Sequence, residues 1–310
     1  MAEFAAATPD QAAFLASLFE AGLLVRTGEP GVYGRGRVFE DIRLRFDDLV
    51  TRRSADQRAE PIRFPPVMPR AQFETTGYLK SFPHLAGAIF GFSGTEGQAL
   101  EQYERSLRHE DWSAYQRMTG LVLVPAVCYP VYPAIAARGP LPTGGVTIDP
   151  GGSYVFRHEP SDDPSRLQMF HMRELVRIGE PDAVAEWRDG WIDRGLALLR
   201  GLGLDAHRDI ASDPFFGRSG RMLAASQREQ ALKVEILVQI AGPNPTAIAS
   251  FNYHQNHFAA MHGLRLADGG EAHTACLGFG HERVTLALLR THGLDPVTWP
   301  DDVRAQLWPA

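Results

Sequence analysis

Three sets of apolar residues recur at helical spacing: Phe14, Leu15 and Leu18; Phe39, Ile42, Phe46, Leu49 and Val50; and Val184, Trp187 and Trp191. The first set follows a capping box, Thr8 to Gln11, with proline at the first helical position, so a helix is expected to begin at Pro9. The second set predicts a long amphipathic helix that ends in the charged stretch 51–60. The third predicts a helix that ends near Gly201.

Other apolar runs have the length and composition of strands: Ile62–Val67, Leu121–Val127, Ser153–Arg157, Leu167–Ile178, Val234–Ile240 and Ala247–Phe251. Leu121–Val127 is almost continuously apolar, which is typical of a buried strand. Ile62–Val67 carries two prolines, which cannot donate to a ladder, and is therefore predicted to be an edge strand. A polar turn joins Ser153–Arg157 to Leu167–Ile178 as an antiparallel pair.

The composition agrees with one globular unit. The chain has 310 residues, 44% of them apolar, and shows no repeat or clear boundary, so we expect a single domain over 1–310 with a helical insertion near 205–230. The net charge is −6 without a dense Lys/Arg run, which argues against an extended nucleic-acid surface. No stretch is apolar enough to span a membrane, and the first four residues do not resemble a signal peptide. The two cysteines are expected to be thiols or metal ligands of a cytoplasmic protein.

Two segments carry candidate chemistry. Residues 277–283 read LGFGHER and lead directly into an apolar helix, while FRHE at 156–159 is followed by FHMRE at 170–174. A Gly-x-Gly turn lets the backbone approach a ligand closely, and an arginine at the start of a helix can bind phosphate with its planar guanidinium. Arg157 and Glu159, two residues apart, together offer a phosphate contact and a base-edge contact.

This pair of segments resembles the second and third signature motifs of class II aminoacyl-tRNA synthetases. The long helix followed by a proline-bearing strand is similar to the first motif, which forms the dimer interface in that family. The resemblance implies an α+β fold, with an antiparallel sheet flanked by helices, in a homodimer. It also implies that the protein activates a carboxylate with ATP and Mg²⁺.

The resemblance assigns a role to each residue of the ATP site. Arg157 would hold the α-phosphate and Glu159 the adenine amino group, while Phe170 would stack on the adenine ring. Arg283 would hold the γ-phosphate. Arg166, in the loop between the two strands, is a candidate for a second phosphate contact.

Cys128, Glu174 and Cys276 each lie in or beside a predicted core strand. They resemble the Cys, Glu and Cys with which the metal-dependent, archaeal type of seryl-tRNA synthetase holds zinc. Zn²⁺ suits two thiolates and a carboxylate, and three protein ligands leave one coordination position open. In that family the open position takes the substrate's amino group. The alternative is that the cysteines are small buried apolar residues.

Two further groups leave alternatives open. His254 and His257 have a spacing that suits a metal only if their segment is helical, whereas 252–258 is predicted to be a strand followed by a loop. Lys233 either pairs with Glu235 on a strand or reaches the active site.

The resemblance extends roughly from Val32 to Leu294. Seryl-tRNA synthetases carry a long N-terminal tRNA-binding domain, whereas about thirty residues precede the similar core here, so a different acceptor is expected. This pattern is similar to the bacterial amino acid:[carrier protein] ligases. Those enzymes form an aminoacyl-adenylate, usually of glycine or alanine, and transfer it to the phosphopantetheine thiol of a small acidic carrier protein.

The segment 213–228 is a candidate docking element for such a carrier. Its cations are Arg218, Arg221 and Arg228, and Phe215 and Phe216 precede them. The alternative is a solvated helical insertion with phenylalanines in the core. Two other functions are alternatives: a truncated synthetase that charges tRNA, and a non-catalytic regulator that senses amino acid or ATP.

Overall fold

The computed structural model describes residues 7–309, apart from the side chains at positions 218 and 219. The expectation about the first four residues lies outside this part of the chain. The helices are α1 (Pro9–Glu20), α2 (Arg37–Arg53), α3 (Arg70–Thr75), α4 (Tyr78–Ser81), α5 (Glu96–Leu107), α6 (Val131–Ala136), α7 (Pro181–Gly201), α8 (Gly217–Glu229), α9 (His257–His262), α10 (His281–His292) and α11 (Asp301–Leu307). Among the described residues, none of these helices has the length and apolar character needed to cross a membrane.

The strands are β1 (Leu24–Glu29), β2 (Val32–Arg35), β3 (Glu60–Pro61), β4 (Val67–Pro69), β5 (Ala88–Phe92), β6 (Gln116–Leu123), β7 (Val146–Phe156), β8 (Met169–Gly179), β9 (His207–Ile210), β10 (Lys233–Val238), β11 (Thr246–Gln255) and β12 (His273–Gly280). The large sheet has the order β3-β7-β8-β12-β11-β10-β9 and is antiparallel except for the β3–β7 pair. Strands β4, β6 and β5 form a second sheet, and β1 and β2 form a hairpin. The predicted α+β architecture is confirmed.

The large sheet separates two apolar cores, because side chains alternate between its faces. Helices α2, α7 and α10 cover one face, where Phe46 of α2 meets Phe279 of β12 edge-to-face at 5.6 Å between ring centroids. Helices α6 and α9 lie on the other face, where Tyr132 stacks on Phe258 at 4.2 Å. The candidate site lies on this second face.

The strongly periodic elements agree with the sequence analysis. Helix α1 begins at Pro9 with both hydrogen bonds of the capping box, and all five predicted apolar residues of α2 are buried. Helix α7 ends at Gly201. The predicted antiparallel pair is present as β7–β8, and the predicted strands Val234–Ile240 and Ala247–Phe251 correspond to β10 and β11.

Two strand predictions were wrong in extent. The segment Ile62–Val67 is mostly irregular, and the strands beside it, β3 and β4, belong to different sheets. Proline interrupts the ladder there. The predicted buried strand Leu121–Val127 is the end of β6, which stops at Leu123 before Pro125, and Leu121 is exposed on the small sheet.

Three local details also differ from expectation. The Gly-x-Gly segment is not a turn, because Gly278 and Gly280 belong to β12. The segment 252–258 continues as strand to Gln255 and then enters α9 rather than a loop. Within the segment 205–230, the helix α8 is preceded by β9, which pairs with β10 at the edge of the large sheet.

Candidate active site

The pairing of β8 with β12 brings a glutamate and a cysteine to the same face of the sheet. Glu174 lies opposite Gly278 and Cys276 opposite Val176, so Glu174 and Cys276 are diagonal neighbours. Cys128 reaches them from the turn between β6 and α6. The three residues are buried, and their ligand atoms all lie within 4.8 Å of one another.

The donor set has the chemistry of a metal site. Glu174 Oε1 accepts a hydrogen bond from the Val127 amide at 3.1 Å, while Oε2 is buried without a hydrogen-bond partner among the described residues. Burial and the charge of Cys276 raise the pKa of Glu174 to about 8. A hydrogen bond from Cys128 lowers the pKa of the Cys276 thiol, while that bond and burial raise the pKa of Cys128. A cation among these atoms would stabilise all three charged forms.

The histidines lie beside this group and not within it. His254 Nε2 is 3.6 Å from Cys276 Sγ, and its Nδ1 is 3.1 Å from the Thr274 hydroxyl. His257 begins α9 and is exposed. In the described part of the chain, only Cys128, Glu174 and Cys276 form a group that could hold a metal ion.

Arg157 follows the last residue of β7 and points towards an aromatic ring. Its amide donates to the Gln168 carbonyl at 2.9 Å, which closes the base of the β7–β8 loop. Its guanidinium carbon lies 5.7 Å from the centre of the Phe170 ring. Its Nε is buried without a hydrogen-bond partner among the described residues. A half-buried arginine with an unused donor is suited to bind an anion.

Arg283 is the third residue of α10 and is held by two backbone carbonyls. Its Nε donates to Ser165 at 2.8 Å and its Nη1 to Ala247 at 2.9 Å. Burial, followed by the charges of Arg166 and Arg157, lowers the pKa of Arg283 to about 10, so it remains charged at neutral pH. A small cavity beside it is lined by Ser165, Leu167, Phe170, Gly280, Glu282 and Arg283.

Glu159 and Arg166, the other two predicted ATP contacts, face each other across the β7–β8 loop. Their side chains form an ion pair at 2.9 Å and are substantially exposed. An exposed pair of this kind contributes little to stability and can exchange partners at low cost.

Cys128 and Arg157 lie close to the same aromatic side chain. Burial of the Tyr129 phenol raises its pKa, and the phenol interacts electrostatically with both Cys128 and Arg157. Cys128 of the candidate metal group and Arg157, a predicted phosphate contact, therefore both lie near Tyr129.

Lys233 forms the ion pair with Glu235 that was one of its two alternatives, and it forms a second ion pair that the sequence analysis missed. Its Nζ lies 3.0 Å from Glu235 and 2.6 Å from Asp213. Burial opposes its charge, but the two carboxylates raise the pKa of Lys233 above its ordinary value. Asp213 also interacts electrostatically with Arg157. No sequence spacing indicates this contact, because Asp213 precedes the α8 insertion.

Glu282 is a second residue that the sequence analysis did not single out. Its carboxylate accepts from the His171 amide at 2.9 and 3.1 Å and pairs with Arg35 of β2. It thereby ties the start of α10 to the strand residue next to Phe170. A glutamate directly before Arg283, at the start of an apolar helix, was the available signal.

The candidate docking helix α8 is largely exposed. Arg221 and Arg228 lie on it two turns apart, and Met222 is 75% exposed. The side chain at the third predicted position, Arg218, lies outside the described part. Phe215 stacks on Phe82 at 5.1 Å, whereas Phe216 is exposed beside His84.

The fold matches solved structures of one class. The chain superposes on the seryl-tRNA synthetase of Methanopyrus kandleri, solved with a tRNASec of A. aeolicus, with a TM-score of 0.80 and 19% identity, covering 99% of this chain and 62% of that one. A cytoplasmic serine-tRNA ligase from Naegleria fowleri, in complex with AMP, gives a TM-score of 0.70 at 14% identity over 96% of this chain and 59% of that one. The chain thus has the fold of the class II aminoacyl-tRNA synthetases.

Sequence similarity defines the family within that class. The chain is 47% identical over 278 residues to amino acid--[acyl-carrier-protein] ligase 1 of Bradyrhizobium diazoefficiens, covering 89% of this chain and 85% of that protein. Ligase 2 of the same organism is 45% identical over 298 residues, with coverages of 96% and 88%. The type-2 serine--tRNA ligase of Methanopyrus kandleri is 25% identical over 207 residues, with coverages of 60% and 38%. No protein-family model matches the chain. The protein belongs to the amino acid--[acyl-carrier-protein] ligases and is a ligase.

Proposed function

We propose that the protein activates a small amino acid, glycine or alanine, with ATP and transfers it to the phosphopantetheine thiol of a carrier protein. One observation carries this proposal: the buried group of Cys128, Glu174 and Cys276 lies near Tyr129, which also interacts with Arg157, in a chain that belongs to this ligase family. The membership of the family supports the carrier as acceptor. The free cysteines support a reducing, cytoplasmic setting.

In the first step, a carboxylate oxygen of the amino acid attacks the α-phosphorus of ATP. A new P–O bond forms, the bond to the β-phosphate oxygen breaks, and pyrophosphate leaves with Mg²⁺. Arg157 would stabilise the charge on the α-phosphate, Arg283 would hold the γ-phosphate, and Phe170 would stack on adenine. The ion pair between Glu159 and Arg166 would break when ATP binds. Glu159 would then accept a hydrogen bond from the adenine amino group, and Arg166 would be available to bind phosphate.

In the second step, the carrier's thiol sulfur attacks the carbonyl carbon of the adenylate. A thioester forms, the C–O bond to phosphate breaks, AMP leaves, and the thiol proton passes to solvent. The exposed cations Arg221 and Arg228, together with Arg218, would dock the acidic carrier on α8. A chain of net charge −6 without a basic run offers few phosphate contacts, which argues against tRNA as the acceptor.

Cys128, Glu174 and Cys276 would hold one Zn²⁺, which suits two thiolates and a carboxylate. When bound, the ion would supply an open coordination position for the substrate's amino group. Gly278 lies close to this group, because a Cβ atom there would lie 3.2 Å from Met172 Cε and 3.4 Å from Glu174 Cγ. The proposal of a small amino acid rests on the family resemblance, and it does not distinguish glycine from alanine.

We propose a homodimer, as in the synthetase family. The small sheet that contains β4 presents an exposed apolar face, with Phe90 at 54%, Phe92 at 43% and Met118 at 46% exposure. The neighbouring α5 adds Leu100, Tyr103 and Leu107, which are all more than half exposed. Exposed apolar side chains grouped on the face of a sheet are typical of interfaces.

The zinc assignment predicts one zinc ion per chain. Cys276→Ser should lose most of it, because a hydroxyl is a poor zinc ligand and one of only three protein ligands is weakened. Elemental analysis of the purified proteins measures this. His257→Gln is the control and should retain zinc, because the ring does not belong to the group. Full retention by Cys276→Ser would refute the assignment.

The ATP-site assignment predicts exchange of pyrophosphate into ATP that depends on a small amino acid and requires no RNA. Arg157→Ala and Arg283→Ala should each slow the exchange about a hundredfold or more, as expected when a charged transition-state contact is removed. Arg208→Ala, which removes an exposed arginine of β9, should leave the rate unchanged. Exchange at the wild-type rate in either active-site variant would contradict the roles assigned to these arginines.

The acceptor assignment predicts that labelled glycine or alanine appears on phosphopantetheinylated carrier and not on unmodified carrier, in a bond that hydroxylamine cleaves. The double variant Arg221→Glu and Arg228→Glu should slow transfer about tenfold while pyrophosphate exchange persists, because the docking helix repels an acidic partner. Arg45→Glu with Arg304→Glu makes the same charge change on exposed residues elsewhere and should have no effect. Charging of total tRNA without label on any carrier would instead place the protein among the synthetases.

The dimer proposal predicts a mass of two chains in light scattering. Phe90→Asp should shift the protein to monomer, because it buries a charge in an apolar interface. Val297→Asp, at a residue that is 71% exposed away from the small sheet, should remain dimeric. A monomeric wild-type protein, or a dimeric Phe90→Asp, would rule out this interface.

A further inference from the structure

The side chain of Gln11 connects the first helix to the β7–β8 loop, residues 157–168. Its Oε1 accepts from the Thr8 amide at 2.8 Å and from the Thr8 hydroxyl at 3.0 Å, which completes the cap of α1. Its Nε2 points away from the helix and donates to Asp163 Oδ2 at 2.7 Å. The same amide therefore caps α1 and binds the loop.

Asp163 is connected to Arg283 through Ser165. Its Oδ1 accepts from the amide of Ser165 at 2.8 Å and from the hydroxyl of Ser165 at 2.7 Å. The Ser165 carbonyl in turn accepts from Arg283 Nε at 2.8 Å. A continuous chain of hydrogen bonds thus runs from Gln11 through Asp163 and Ser165 to the guanidinium that faces the candidate phosphate site.

The start of α1 is itself fixed to the body of the protein. Asp10 accepts from the Gly242 amide at 2.8 Å and from Arg290 Nη2 at 2.8 Å, so α1 is tied both to the β10–β11 connection and to α10. Because Arg290 and Arg283 belong to the same helix, these contacts fix the position of Gln11 relative to Arg283.

The hairpin β1–β2 holds the base of the same loop. The Gly31 carbonyl accepts from the Gln168 amide at 2.8 Å, and the Pro30 carbonyl accepts from Gln168 Nε2 at 2.9 Å. Gly31 has a φ of +71°, and a Cβ atom there would lie 3.0 Å from the Arg166 carbonyl. The turn of the hairpin can approach the loop this closely because it carries glycine.

We propose that Gln11 and Asp163 are positioning residues for the phosphate contact of Arg283. A polar loop with few apolar contacts samples many conformations unless hydrogen bonds restrict it. The chain from Gln11 orders the loop before ATP arrives, so binding does not have to order it. The role in ATP binding rests on the function proposed above, whereas the ordering of the loop does not.

Gln11→Glu separates this role from helix capping. Glutamate at this position accepts from the cap residue as well as glutamine does, so α1 keeps its capping box. The variant places a carboxylate against Asp163, however, so charge repulsion replaces the hydrogen bond between α1 and the loop. The matched control is Gln98→Glu in α5, where Gln98 accepts from the Thr95 amide at 2.8 Å in an equivalent capping box that does not contact the loop.

Two measurements follow. In pyrophosphate exchange, Gln11→Glu should lower kcat/KM for ATP about tenfold, the effect of losing a hydrogen bond to a charged group, while KM for the amino acid changes less than about twofold. In hydrogen–deuterium exchange without ligands, the amides of 161–168 should exchange about tenfold faster. Gln98→Glu should match the wild type in both measurements.

Adding Asp163→Asn to Gln11→Glu provides a rescue. The asparagine amide can donate to the new carboxylate, and its oxygen can still accept from Ser165, so the direction of the first bond is reversed and the chain is restored. Both loop protection and kcat/KM for ATP should return to within about twofold of the wild type.

Unchanged loop protection in Gln11→Glu, or failure of the double variant to restore it, would overturn the proposed ordering. Faster loop exchange with an unchanged kcat/KM for ATP would overturn the positioning role in ATP binding. If the wild-type protein supports no pyrophosphate exchange with any amino acid, the proposed function fails, and the hydrogen–deuterium exchange still decides whether Gln11 and Asp163 order the loop.

Discussion

The register between β8 and β12 is the constraint on which the rest of the site depends. It places Gly278 opposite Glu174, and a side chain at position 278 would press on the Glu174 stem and on Met172. The same register sets Cys276 diagonally beside the carboxylate. Because β12 runs without a loop into α10, the register also determines the position of Arg283, the third residue of that helix. A shift of one residue would turn each of these side chains to the opposite face.

Successive side chains of β8 point to opposite faces of the sheet, and the polar residues on the two faces have different roles. Arg173, next to Glu174, points the other way and is only 1% exposed, where it pairs with Asp47 of α2 and Asp149 of β7. Its charge is compensated within the protein, and the pairs bind α2 to the sheet. Glu174 has one carboxylate oxygen without a partner among the described residues. A buried charge left without a partner is costly, which is the physical reason to expect a cation at this position.

Sequence reasoning succeeded where a single physical pattern dominates. Helices α1, α2 and α7 follow from capping and apolar period, and the β7–β8 pair follows from two apolar runs around a polar turn. It failed around Pro65 and Pro125, where an apolar run does not correspond to a ladder. The hairpin β1–β2 and strand β5 of the small sheet were also missed, because these strands are short and partly exposed.

The sequence by itself determined the kinds of residue available: two thiols, a glutamate, and arginines near glycines and apolar helices. Together with the family resemblance, these residue types indicated carboxylate activation and a metal site. Only the tertiary structure decided which residues meet. The links from Gln11 to Asp163 and from Lys233 to Asp213 join distant segments. Periodicity reports the burial of one element at a time, whereas such contacts depend on strand register and on how helices dock, which no local pattern contains.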